Sequence, residues 1–125
     1  MRNRFIFSIL ILPFLISSCH DYKKDLDSKN EADIMTACYK LGEARDTSAV
    51  KLLLKKIIDW RMSTNFRFKG MTVYQCKIGA LKKISGICVS YNYEPDTAVA
   101  NVYLNWAIQK GFIKNKDEID LYFEK

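Results

Sequence analysis

Residues 41–58 read Leu-Gly-Glu-Ala-Arg-Asp-Thr-Ser-Ala-Val-Lys-Leu-Leu-Leu-Lys-Lys-Ile-Ile. Val50, Leu53, Leu54, Ile57 and Ile58 recur at helical spacing, while Lys51, Lys55 and Lys56 mark the wet side. Asp46 or Thr47 caps the start, so the pattern predicts a helix from about Thr47 to Arg61. Upstream, Ile34, Ala37, Cys38 and Leu41 lie at i, i+3, i+4 and i+7, which predicts a helix from Glu31 to Glu43 with Asn30 as N-cap. Downstream, residues 62–70 break the periodicity and end in Gly, which predicts a loop. A third helix is expected from Thr72 to Ser85, with Val73, Cys76, Ala80, Leu81 and Ile84 inward and Gly86 closing it. A loop over 87–95 precedes a fourth helix from Asp96 to Gly111, with Val99, Val102, Tyr103, Trp106 and Ala107 inward. Residues 115–124 are expected to add a short fifth helix, with Ile119, Tyr122 and Phe123 packing back. No stretch alternates cleanly at period two, so the fold class is all-α.

The helices suggest a repeat. Asp46-x-x-Ala49-Val50-x-x-Leu53-x-x-x-Ile57, directly after Leu41-Gly42, resembles the inner helix of a HEAT repeat of the PBS-lyase HEAT-like type. Val73, Cys76, Ala80, Leu81, Ile84 and Ser85 resemble the outer helix of the next repeat, and Asp96-Thr97 repeats Asp46-Thr47 at an offset of 50. The resemblance covers roughly residues 31–111 and implies a short right-handed stack of αα-hairpins, about two repeats, followed by a short C-terminal helix. Ala37, Gly42, Ala49, Gly79 and Ala80 are small enough for helix axes to approach to about 8–10 Å. Three features depart from the family. Tyr74 stands where it often has a structural Arg, the 62–70 loop is long, and two repeats are fewer than the three or so such stacks generally need. An irregular four- or five-helix bundle is the alternative.

The N-terminus is built differently. Arg2 and Arg4 precede an apolar run from Phe5 to Ile16, too short for a spanning helix of about 20 residues. Ile16-Ser17-Ser18-Cys19 resembles a bacterial lipobox. The resemblance implies that residues 1–18 are a lipoprotein signal peptide, cleaved before a Cys19 that carries acyl chains. Two or more chains hold a protein stably on a membrane without spanning it. His20, rather than Asp, follows Cys19, which leans toward the outer rather than the inner membrane of a Gram-negative cell, facing the periplasm. Residues 19–30 then form the lipidated Cys and a polar tether, at most about 35–40 Å long when extended, and 31–125 form the domain.

The 125-residue chain carries 20 basic and 14 acidic side chains, a charge of +6. The signal takes Arg2 and Arg4 and no acid, leaving 18 basic against 14 acidic and a charge of +4. That is no nucleic-acid footprint. The one His, His20, lies in the tether, which excludes a Ser-His-Asp triad from the domain, and no HExxH, Cys-x-x-Cys or phosphate-binding glycine loop is present. No cofactor and no metal site are implied. Cys38, Cys76 and Cys88 remain as thiols; Cys38 and Cys76 sit on neighbouring helices and are read either as a disulfide pair or as small core residues.

The segment Trp60-Arg61-Met62-Ser63-Thr64-Asn65-Phe66-Arg67-Phe68-Lys69-Gly70 interleaves aromatics with cations. Exposed aromatics with Arg are what binding hot spots use. Trp60, Arg61, Phe66, Arg67, Phe68 and Lys69 are therefore the candidate protein-binding residues, the alternative being that Trp60 and one Phe cap the core. The expected function is a membrane-anchored, non-catalytic protein-binding module, with an immunity protein for an envelope-acting toxin and an envelope scaffold as two concrete roles. Self-association would cover apolar ends of the stack. A cell-wall or lipid hydrolase is the competing class, opposed by the lack of a histidine in the domain.

Overall fold

The computed structural model describes residues 20–124. Residues 1–18, expected to be a signal peptide, and the expected lipid site Cys19 lie outside the described residues. Local chemistry sets the ends of the helices. Asn30 is extended, and its side chain accepts from the Ala32 N–H at 2.9 Å, starting α2 (Glu31–Glu43) with Glu31 and Asp33 in the favourable first turn. Thr72 and Gln75 form a reciprocal capping box that starts α4 (Val73–Ser85), and Gly86, left-handed at φ 76°, ends it. Asp96 accepts from the Ala98 N–H at 2.8 Å and starts α5 (Thr97–Gln109). The short helices are α1 (Tyr22–Asp25) and α3 (Val50–Leu54), the latter entered through a 3-10 turn over Thr47–Ala49.

The fold is all-α. Helix α2 lies along α4 in the same direction: Gly42 faces Ala80, and the Glu43 carboxylate pairs with Lys83. Helix α3 packs on both α4 and α5, and α4 touches α5. Between them lies one core that includes Leu53, Leu54, Ile57, Tyr74, Ile78, Leu81, Tyr103 and Leu104, each no more than 2% exposed. Burying a side chain of this size contributes about 1.5–3 kcal/mol.

Four expectations are corrected. The helix predicted for Thr47–Arg61 stops at Leu54. Lys56 turns left-handed at φ 55°, and Ile57 and Ile58 continue as extended chain. The Lys56 N–H donates to Asp120 O at 2.7 Å, the Ile58 N–H to Leu121 O at 2.8 Å, and the Phe123 N–H to Ile58 O at 3.1 Å. The C-terminal segment thus supplies the partners a longer helix would have had, and both isoleucines stay buried in the new conformation. The same extended run serves α4, because Asp59 O and Arg61 O accept from the Tyr74 and Val73 N–H groups that no helical carbonyl reaches.

The predicted fifth helix is only a 3-10 turn over Lys116–Glu118; beyond it the chain is extended, and Tyr122 is exposed instead of packing back. Val102, expected inward, is 38% exposed. The stretch expected as a tether is partly folded: α1 packs on α2, and Leu26 is buried in the core. One well-placed leucine gives an otherwise polar segment enough burial to dock.

Candidate functional site

Residues 60–70 form an ordered loop. Met62 and Thr72 make an antiparallel bridge across its base. Ser63 Oγ accepts from the Asn65 N–H at 3.0 Å, and Asn65 Oδ1 accepts from the Arg67 N–H at 3.0 Å, which starts a 3-10 turn over Phe66–Phe68. With three residues per 3-10 turn, residues two apart point to different sides. The two phenylalanines therefore separate: Phe68 packs half-buried against the core, and Phe66 is 86% exposed.

Phe68 and Arg67 open onto a groove of about 490 Å³ between α2 and α4. Its apolar walls are Met35, Tyr39, Phe68, Met71 and Tyr91, and its charged residues are Lys40, Arg67 and Lys83, with no acid among those lining it. The Lys83 ammonium sits 4.8 Å from the Tyr39 ring centroid, within cation–π range. Ala80 and Lys83, which line the groove, are also where α4 approaches Gly42 of α2 closely.

The six candidate binding residues do not form one patch. Arg67 and Phe68 line the groove, with Phe66 beside them in the same turn. Lys69 is exposed just beyond, at the end of that turn. Trp60, 55% exposed, lies outside the groove lining. Arg61 turns the other way. Its Nη2 donates to Asp59 Oδ2 at 2.7 Å, its Nε to Oδ1 at 3.0 Å, and its guanidinium stacks 3.9 Å from the Phe123 ring centroid.

That ion pair belongs to a second cluster, which the sequence reading missed. Asp59 is 1% exposed, and Lys77, 3% exposed, donates from Nζ to the Lys55 carbonyl at 2.9 Å. Burial depresses the Lys77 pKa, opposed mainly by Cys38 and Asp59. A signal for Lys77 does exist in the sequence: it lies four residues from both Val73 and Leu81, on the apolar face of α4. Asp59 carries no such signal, because its burial depends on the extended conformation of its segment.

The thiols of Cys38, Cys76 and Cys88 are free. Burial pushes the Cys38 pKa up, and pushes Cys76 up to about 12, so both stay protonated and unreactive at neutral pH. His20 contacts Asp25 at 2.6 Å on the surface, and neither residue lines the groove or the cleft around Asp59 and Lys77. Among the described residues no helix is long and apolar enough to cross a membrane. No protein-family model, no curated protein and no solved structure matches the chain.

Proposed function

We propose that the protein is a lipid-anchored lipoprotein of the cell envelope, facing the periplasm, whose helical domain holds a protein partner without catalysing a reaction. Cys19 carries the lipid, and the outer membrane is its favoured location in a Gram-negative cell. The domain is a HEAT-like stack of about two αα-hairpins. Support for the stack comes from the parallel pairing of α2 with α4, where residues about 40 apart meet, and from the packing of α3 on α5. Residues 55–61 leave the helical hairpin early, so the stack is an abbreviated one.

One observation carries the binding role. Phe66 is 86% exposed on a hydrogen-bonded turn beside an aromatic groove lined by Lys40, Arg67 and Lys83 and by no acid, Lys83 being paired with Glu43 at its edge. The turn backbone is fixed by its hydrogen bonds, so Phe66 has only its side-chain torsions to lose on binding, and the groove charge suits a partner segment that is apolar and acidic. An immunity protein for an envelope toxin and an envelope scaffold both fit this reading; a toxin-like reading frame directly upstream separates them.

The test is pull-down from envelope extracts with wild type and with Phe66→Ala/Arg67→Ala. Phe68 is left in place because it packs against the core. The double variant is expected to lose the partner while unfolding at the wild-type urea midpoint, since an exposed Phe changes stability by only about 0.5 kcal/mol. Retention of every partner by a folded variant rejects the surface. Separately, Cys19→Ser is expected to leave the membrane fraction, and a variant that stays membrane-bound rejects the lipid anchor.

A further inference from the structure

A second cleft, of about 310 Å³, opens on the side of the domain formed by the segment after α1, the chain leaving α3, α4 and the C-terminal segment. Five cations line it, Lys29, Lys55, Lys56, Arg61 and Lys77, against two acids, Asp27 and Asp59. They come from separate parts of the chain, so the tertiary fold, not a run of basic sequence, assembles them.

The acids do not balance the cations. Asp59 is committed to Arg61, accepting from Nε, Nη2 and the Arg61 backbone N–H. Lys77 has no acid within ion-pair distance among the described residues. Its buried ammonium meets one acceptor, the Lys55 carbonyl at the end of α3. An ammonium has three donors, so after the Lys55 carbonyl it can still donate to two further acceptors in the cleft. A buried charge in this state is costly, and an anion in the cleft offsets the cost. The cleft volume is near the lower end of the small-molecule range, roughly 300–1,000 Å³.

We propose that this cleft binds a phosphate group, with Lys77 at its floor, Lys55 and Lys56 at its rim and Phe123 as its apolar wall. Phosphate fits better than carboxylate because the cluster exceeds its acids by three charges, and a phosphate monoester carries about −1.5 to −2 with three strong acceptor oxygens. Lysines supply point charges that bind phosphate without the planar geometry a bidentate carboxylate contact asks for. The phosphate is either a free anion or a phospholipid headgroup. The proposal stands independently of the partner surface on α2 and α4.

The experiment is isothermal titration calorimetry on the full chain in neutral-detergent micelles, at pH 7 and constant ionic strength in chloride. One arm titrates inorganic phosphate; the other titrates glycerophosphoglycerol, an anionic lipid headgroup without its acyl chains. Saturable binding is expected in at least one arm, and the tighter arm identifies the source. Lys77→Met should weaken it about tenfold or more and Lys55→Ala about three- to tenfold, as loss of a charge-assisted contact implies. Lys114→Ala, an exposed lysine outside the cleft, should leave it unchanged. Should circular dichroism show Lys77→Met unfolded, Lys55→Ala and Lys56→Ala decide the matter, since both side chains reach solvent. Absence of saturable binding in both arms overturns the proposal. So does wild-type affinity in the folded cleft variants.

Discussion

Alanine in place of two helical glycines should change stability in opposite directions. In an open helix, Gly→Ala gains about 0.8–1.0 kcal/mol. Gly79, in α4, is close to that case: an added Cβ meets only the Tyr91 hydroxyl at 3.4 Å, the end of a side chain that can shift. Gly42, in α2, is not. Its Cβ lands 3.0 Å from the Ala80 Cα, 3.3 Å from Lys83 Cδ and 3.4 Å from Ala80 Cβ. Comfortable carbon–carbon separations are about 3.5–4.0 Å, so α2 and α4 must part by roughly 0.5–1 Å. Ala37, Cys38 and Leu41, buried along α2, lose contact when they do. Overpacking of this kind costs about 1–3 kcal/mol. Gly42→Ala should therefore destabilise by about 1 kcal/mol net of the propensity gain, lowering Tm by about 4–8 °C. Gly79→Ala should stabilise by about 0.5–1 kcal/mol. Urea unfolding followed by far-UV circular dichroism, with m-values compared, measures both. If Gly42→Ala raises the midpoint as Gly79→Ala does, the close approach of α2 to α4 is wrong.

Three further outcomes follow from burial. Leu26→Ala should cost about 2–3 kcal/mol in the same urea assay, because Leu26 is 5% exposed and joins the core; a loss under 0.5 kcal/mol restores residues 20–30 to a plain tether. Stability should fall as pH rises above 9, since the native state holds protons that the unfolded chain releases: Cys76 between its ordinary value of 9.0 and about 12, with Cys38 and Tyr103 shifted in the same direction. Cys76→Ala should flatten that decline in a pH series of urea midpoints, and an unchanged slope counts against the burial. Lys77 works with the opposite sign, its lowered pKa meaning that the unfolded chain binds more protons; Lys77→Met should be more stable than wild type at pH 7 in phosphate-free buffer, with the gap closing toward pH 10.5.

Features that depend on near neighbours were legible in the sequence. Asn30, Thr72 with Gln75, Asp96 and Gly86 act within a few residues of themselves, so the start of α2, both ends of α4 and the start of α5 were legible from spacing and cap chemistry. The apolar stripes named most of the core for the same reason. Long-range packing sets the places where that local logic is overruled. Residues 50–58 carry a helical stripe to the end, yet Ile57 and Ile58 leave the helix because the C-terminal segment, some 60 residues away, offers backbone partners that keep both side chains buried. That exchange moved Asp59 into the interior and turned Arg61 from the 62–70 loop toward Asp59 and Phe123. The two phenylalanines of the loop are alike in sequence; only the 3-10 turn assigned one to the core and the other to solvent. Periodicity reports which residues avoid water. It does not report which distant segment will cover them.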